Sequence, residues 1–481
     1  MSAQRSAAAS GSTVSLTSPA SPYEGDKLSF HWTTDVPDPT NWIGIYDGTR
    51  KPGVGSSLVW DYVKTTSGDL TLNGLPEGEY TAYLLAKDGY GILARTPAFT
   101  VTARPVVVRP HAAVDSFTTD AYPAREQVSL PLAGLWMRPE GNPAGTPSFR
   151  RAGGDSWLNV RQDGTVTGST PLLPTLHPGR IEVAVKDSAG GADTITVQVP
   201  VRSVLTGPRL TVASLNLWDA GSHVDDVHEK WLRLILAQGL DVVAVQESGG
   251  ASAQALADAL GWHAYDSPAG VGLVSRYPLA DASAPVRDVP AVAATVRLPD
   301  RQTVRVWAAQ LDEAAYGPYA LRDGRSAAEV EAAELKTVRH RQASALIAAM
   351  KKDITSRTPV ILAAGLASPS HLDAPGKKDV KGKKTVAWPV TVALGKGGLT
   401  DAYRTAHPLA SKDPGVTWSP VRPEEPQDRI DQVHFAGRLH VESAYTLCTG
   451  WPRPVPDTAG NGWPSDHAAP VVTFSLPVHL I

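Results

Sequence analysis

Apolar and polar positions repeat in two different ways along this chain, and the change comes near Pro208. Before it the period is two. Leu28, Phe30 and Trp32 alternate with polar residues, as a half-buried strand requires. The run 41–46, the Pro/Gly turn 75–78 leading into 80–86, and the run 99–101 continue the pattern. Short strands separated by turns predict a β-sandwich over 13–103. Residues 1–12 are small and polar and read as a disordered tail. The stretch 104–110 carries two prolines and three valines and reads as an extended linker. A second β unit follows over 111–204, with strands at 156–160, 181–185 and 194–199 and a turn at 162–165. Trp42, Trp60 and Trp157 are expected in the cores of these sandwiches.

After Pro208 short apolar runs alternate with helical periods. The runs 210–215, 241–245, 359–363 and 430–435 are too short for helices and predict buried strands. Residues 227–238 have a helical period, with Trp231, Leu232, Leu234, Ile235 and Leu236 on and around one face. Residues 251–260 are also helical, and 327–351 predicts one long amphipathic helix. Strands alternating with helices over 208–481 indicate a layered α/β domain.

Composition narrows the possibilities. The chain has 481 residues, which suggests about three domains. The 45 Lys and Arg against 48 Asp and Glu leave a net charge of −3, so no global nucleic-acid or polybasic membrane signal exists. One Cys, Cys448, excludes an intrachain disulfide framework and any multi-cysteine zinc site. The 42 Gly and 40 Pro suit turn-rich β domains. No apolar stretch of about 20 residues predicts a membrane span. The start, MSAQRSAAASGSTVS, lacks the apolar core of a signal peptide. It fits the mature start of a processed secretory protein with an added Met, so a secreted or cell-surface location is expected and a cytoplasmic one stays open.

Motifs fall at the ends of the predicted strands. In order they are Ser214-Leu-Asn216-Leu-Trp218, Asp241-Val-Val-Ala-Val-Gln-Glu247, Val271-Gly-Leu-Val-Ser-Arg-Tyr-Pro278, Asp428-Arg-Ile-Asp431 and Trp463-Pro-Ser-Asp466-His467. Their order resembles the endonuclease/exonuclease/phosphatase superfamily, the DNase-I-like fold. The stretches Tyr316-Gly-Pro-Tyr319, Ser368-Pro-Ser-His-Leu-Asp373 and Leu399-Thr-Asp-Ala-Tyr-Arg404 with Thr417-Trp-Ser-Pro420 resemble a secreted bacterial and plant branch of it. Asn41-Trp-Ile-Gly-Ile-Tyr46 with Trp60-Asp-Tyr62 resembles the fibronectin-III-like module of purple acid phosphatases. Trp157-Leu158, Asp163-Gly164-Thr165 and Val183-Ala-Val-Lys-Asp187 resemble bacterial cadherin-like or immunoglobulin-like repeats. The implied fold class is two all-β sandwich domains followed by an α/β (α+β) four-layered sandwich.

The resemblance implies a metal-dependent phosphoesterase site. A divalent cation neutralises a phosphodiester and stabilises its leaving alkoxide. Mg²⁺ takes one or two carboxylates and keeps waters. By resemblance Glu247 and Asp466 are those carboxylates, for Mg²⁺ or else Mn²⁺ or Ca²⁺, with Asn216 beside them. His467 would contact phosphate or move a proton, and Asp431 would fix its tautomer; an ion pair of Asp431 with Arg429 is the alternative. Tyr316, His371, Asp373 and Arg429 are possible substrate contacts.

Three positions depart from the family pattern. Gly365 stands where its water-activating Asp belongs, Ala367 where its phosphoryl-binding Asn belongs, and Gln310 where its His belongs. Gly and Ala have no side-chain donor or base, and Gln cannot give up a proton near pH 7. Losing one acid or base costs about 10²–10⁴-fold in rate. The sequence therefore predicts a catalytically impaired protein that binds a phosphate-containing ligand. An active phosphodiesterase using His371, Asp312 or Glu313 instead, and a structural adhesin whose β modules bind a cell-surface polymer, remain alternatives. The lysines 377, 378, 381, 383 and 384 read as a solvated loop or a polyanion contact.

Overall fold

A computed structural model describes residues 11–103, 109–138, 144–175, 177–203, 207–373, 385–448 and 463–478. The predicted tail up to residue 10, most of the linker and the lysine-rich loop lie outside the described residues. The chain is mostly β with few helices, and it divides into two compact units, Met1–Val106 and a larger one from Val107 onward.

In the first unit, Thr13–Ser18, Leu28–Thr33 and Ser67–Leu72 form one antiparallel sheet. Val59–Val63, Asn41–Asp47, Gly78–Ala86, Gly91–Arg95 and Phe99–Val101 form a second. The alternation of Leu28, Phe30 and Trp32 turns all three into a core shared with Ile43, Ile45 and Leu84. Trp42 is buried, but Trp60 is 42 % exposed and only packs edge-on against Trp42. Its strand Val59–Val63 lies at a sheet edge, where one face stays wet. Trp157 is half-buried.

In the second unit, the residues after 109 first form a four-stranded sheet, Ser116–Thr118, Ala192–Val199, Gly179–Asp187 and Pro147–Gly154, and a three-stranded one, Gln127–Pro131, Thr165–Ser169 and Leu158–Val160. This β module is tied to the α/β layers. His111 meets Glu229 at 3.0 Å, and Arg233 Nε donates to the Ala113 carbonyl at 3.3 Å. Gly134 is needed at this seam, because a Cβ there would lie 2.1 Å from the Ala259 carbonyl oxygen.

The α/β region stacks two six-stranded sheets. One runs His263–Asp266, Val271–Ser275, Val242–Gln246, Arg209–Asn216, Ala469–Ser475, His440–Leu447. The other runs Leu279–Ala280, Ala291–Arg297, Thr303–Gln310, Val360–Gly365, Asp431–Ala436, Thr400–Asp401. Their facing sides share one core built from Leu210, Val212, Val242, Ala244, Val306, Ala308, Ile361, Ala363 and Val433. The alternate residues Trp307, Ala309, Leu362 and Ala364 face outward and pack on Ala343, Leu346, Met350, Val390 and Leu394, from the helices Val338–Ile354 and Pro389–Lys396. Ser252–Leu260 covers the other sheet, where a Cβ on Gly272 would come 2.9 Å from Ala253 Cβ. The result is helix, sheet, sheet, helix.

The single helix expected over 327–351 is two helices, Ala327–Glu334 and Val338–Ile354. Ser326 and Glu329 form a capping box at the first start, and Thr337 accepts from His340 N at the second. A buried ion pair across the break, Arg339 to Glu334 at 2.6 Å, fixes the turn. Apolar periodicity alone could not register a break that a cap and one ion pair impose.

Candidate functional site

Period-two alternation decides where the site lies. Val212 and Ala244 point between the sheets, so Asn216 and Gln246, on the same parity, do so as well. By the same count Gln310, Gly365 and Asp431 share the face of Ala308, Ala363 and Val433. Gln310, Gly365 and Asp431 lie side by side in register on three neighbouring strands, and Asn216 pairs with Gln246 on the facing sheet. All five reach the same open end of the seam. There a cavity of about 350 Å³ is lined by Asn216, Glu247, Gln310, Gly365, Ala367, Asp431 and His467, with Glu313, Tyr316, Tyr319, Trp418 and Arg422 from the loops above.

Glu247 is the hub. Its Oε1 accepts from Asn216 Nδ2 at 2.8 Å and from Gln310 Nε2 at 3.0 Å; its Oε2 accepts from Asp219 N at 3.1 Å. Asn216 Oδ1 in turn accepts from Trp218 N at 2.8 Å. These bonds hold unusual backbone. Trp218, Asp219, Ala220, Glu247 and Ala367 have φ of 49°, 53°, 55°, 53° and 48°, the left-handed region that side chains disfavour. Such strain persists where neighbours over-determine it. Ala367 lacks the side-chain hydrogen bonds that let Asn adopt this conformation. Ala367→Asn is therefore expected to stabilise the chain by roughly 0.5–1 kcal/mol in urea unfolding; a loss would mean the cavity cannot take the amide.

His467 Nδ1 lies 2.8 Å from Asp431 Oδ2, while the Asp431 backbone N–H donates to Thr417 Oγ1 at 3.0 Å. Burial opposes charge on the His467 ring, yet Asp431, then Asp466 and Glu247, push it up to about 9. Asp466 is buried beside the cavity, and its Oδ1 is 4.0 Å from His467 Nε2. Burial raises its carboxyl, against the pull of His467. Asp431 Oδ1 is buried without a hydrogen bond, and a Cβ on Gly365 would sit 3.4 Å from it. The space beside Gly365 is therefore open and faces a bare acceptor.

Two amide groups already satisfy Glu247 Oε1, and among the described residues no group of three or more His, Cys, Asp or Glu side chains is placed to hold a metal ion. Glu247 and Asp466, the two carboxylates that would hold Mg²⁺ by resemblance, lie in and beside this cavity, and the cation would supply charge neutralisation there.

Three of the possible substrate contacts lie elsewhere. Arg429 is buried between Asp401 at 2.6 Å and Asp373 at 2.7 Å, and Asp373 also takes Arg404 Nε at 2.7 Å. His371 Nδ1 is 3.0 Å from Thr391 Oγ1. None of the three lines the cavity. A guanidinium this deeply buried must spend its donors on carboxylates, so Arg429 pins loops together and leaves Asp431 to His467. Asp312 is absent from the lining, whereas Glu313 belongs to it.

Tyr316 does line the cavity, and its hydroxyl donates to Asp428 Oδ2 at 2.8 Å. Burial, eased by that hydroxyl and reinforced by Asp373, pushes the Asp428 carboxyl up to about 6. The unfolded chain releases this proton near pH 4, so the folded state holds an extra proton between there and pH 6, and stability falls as pH rises through that window. Asp428→Asn removes the effect and can still accept from Tyr316. Between pH 4 and pH 7 the variant should gain on the parent by roughly 2–3 kcal/mol in urea unfolding. A pH-independent difference would place the ionisation on another group.

Trp418 belongs to the stretch Thr417-Trp-Ser-Pro420 but has no role assigned from the sequence, and Arg422 carries no sequence signal. The Arg422 guanidinium sits 5.5 Å from the centre of the Trp418 ring and makes no side-chain hydrogen bond to a described residue. Arg422 lies in an irregular loop without periodicity, so no pattern marks it.

No family model matches the chain. It is 29 % identical over 300 residues to an uncharacterized protein of Caenorhabditis elegans, covering 57 % of this chain and 94 % of that protein. Among solved structures, an endonuclease/exonuclease/phosphatase family protein of Bacteroides thetaiotaomicron aligns at 15 % identity and TM-score 0.40, over 56 % of this chain and 96 % of that one. An AP endonuclease of Archaeoglobus fulgidus aligns at 15 % identity and TM-score 0.37, over 55 % and 98 %. A purple acid phosphatase of yellow lupin aligns at 10 % identity and only 0.17, over 48 % of this chain and 50 % of that one, which carries no argument for the first β module. The sequence reading found no nucleic-acid signal, and the AP endonuclease likeness sits uneasily with it, but at that TM-score it decides nothing. Among the described residues no helix is long and apolar enough to cross a membrane. The structural neighbours of about half of this chain are thus endonuclease/exonuclease/phosphatase proteins of DNase-I-like fold.

Proposed function

We propose that the α/β region is a phosphoesterase-type domain that has lost its hydrolytic half and now binds a phosphate-bearing ligand. The observation that carries this is Arg422, an exposed guanidinium in the cavity lining that makes no side-chain hydrogen bond to a described residue. Its planar fork suits a phosphate group. Opposite it, Gly365 offers no base, Ala367 no amide, and Gln310 spends its amide on Glu247. Glu247 and Asp431 repel an anion less than bare carboxylates would, because amide donors engage the first and His467 the second.

Calorimetric titration with p-nitrophenyl phosphate in EDTA tests the binding. It should saturate, and Arg422→Gln should weaken it at least about tenfold. In parallel the unaltered chain should leave bis-(p-nitrophenyl) phosphate and plasmid DNA intact with Mg²⁺, Mn²⁺ or Ca²⁺. Robust turnover abolished by Glu247→Ala would overturn the reading. Glu313 in the cavity lining favours a second one, an active phosphodiesterase with a substitute base; turnover lost in Glu313→Gln would establish it.

A further inference from the structure

A second cavity, of about 230 Å³, lies where the second β module meets the α/β layers. It is remote from the site above. Arg276, on its lining, follows the strand Val271–Ser275, whose last residue pairs with Val242 at the start of Val242–Gln246. Glu247 lies at the other end of that strand, roughly 17 Å away at a strand's rise per residue.

The walls are apolar and largely aromatic: Phe117, Tyr122, Leu130, Leu260 and Trp262. The one guanidinium of the lining is stacked, with Arg276 Cζ 5.1 Å from the Trp262 ring centre. Its donors are poorly spent. Nη2 reaches the Leu240 carbonyl at a long 3.3 Å. Nε is 3.3 Å from Asp241 Oδ1, yet neither of these buried atoms makes a hydrogen bond. Tyr277, which also lines the cavity, already gives its hydroxyl to Asp120. Nε is thus held by the ion pair with Asp241, and it is the place of the guanidinium in the cavity lining that offers donors to a ligand.

We propose that this cavity binds a flat, uncharged aromatic molecule of two fused rings that carries a hydrogen-bond acceptor, with the acceptor on Arg276. Size sets the ring count: a dry cavity of about 150 Å³ takes a benzene, and this one is half as large again. The walls set the aromatic body. Charge sets the neutral head, because Asp120, Asp241 and Glu126 surround Arg276 and repel an anion.

The probes are 2-naphthamide, naphthalene and 2-naphthoate, titrated into the full chain by calorimetry. The amide should bind saturably, naphthalene about tenfold more weakly for want of an acceptor, and naphthoate more weakly than the amide. Ala121→Trp fills the cavity and should abolish binding while the circular dichroism spectrum and melting temperature stay put. If that variant does not fold, Ser129→Trp fills it from the exposed rim. No saturable binding of the amide, binding that survives a folded filling variant, or naphthoate binding tighter than the amide would each overturn the proposal.

Discussion

The variant Gly365→Asp/Ala367→Asn/Gln310→His is expected to hydrolyse bis-(p-nitrophenyl) phosphate with added Mg²⁺ at least about 10²-fold faster than the parent chain, which should stay near background. The structure leaves room for the change. A Cβ on Gly365 meets nothing nearer than Asp431 Oδ1 at 3.4 Å, so an aspartate fits at the end of its strand. Position 367 already holds the left-handed backbone that Asn tolerates and Ala does not favour. Replacing Gln310 withdraws one of the two amide donors on Glu247 Oε1 and leaves that oxygen with Asn216 alone. Groups that act as a unit are not additive, so each single reversion should recover far less than the triple. A triple variant as inert as the parent, with its fold intact, would show that the geometry has drifted beyond these three positions. It would leave phosphate binding by Arg422 standing.

Arg339→Met is expected to cost about 3–5 kcal/mol in urea unfolding. Arg339 is fully buried. It pairs with Glu334 at 2.6 Å and donates to the carbonyls of Asp312, Ala314 and Ala315 at 3.3, 2.6 and 2.6 Å. Those carbonyls belong to the loop that brings Glu313 and Ala314 to the cavity. Removing the cation leaves the buried Glu334 unpaired and three acceptors unmet, and each buried acceptor left bare costs about 1–3 kcal/mol. The double variant Arg339→Met/Glu334→Leu should recover much of the loss, since replacing both charges avoids the unpaired one. A single variant that costs less than about 1 kcal/mol would mean that water reaches Glu334 and that the loop stands without the clamp. The prediction reaches function, because a freed loop should also weaken ligand binding beside it.

Much of this was legible in the chain. The apolar run 210–215 announces a buried strand ending in Asn216, but both of its faces are buried, so only the facing sheet shows which side Asn216 takes. Gln310, Gly365 and Asp431 were likewise visible as residue types at or near predicted strand ends, and the register that sets them side by side came from the sheet. Periodicity speaks only about one element at a time. It could not say that Arg429, Asp373 and His371 turn away from the cavity, because that depends on where Asp401, Arg404 and Thr391 end up. Nor could it say that Trp60 sits on an edge strand, or that a cap at Thr337 splits a helix.

The sequence by itself determined most of the strands and helices and the residue types at 310, 365 and 367, because backbone sterics and side-chain chemistry are local. Only the tertiary structure decided which strand ends share one opening, which guanidinium is spent on buried carboxylates and which, at Arg422, stands in the cavity lining. Those outcomes depend on long-range packing and on the cost of leaving a buried charge unpaired, and neither is written in any single stretch of chain.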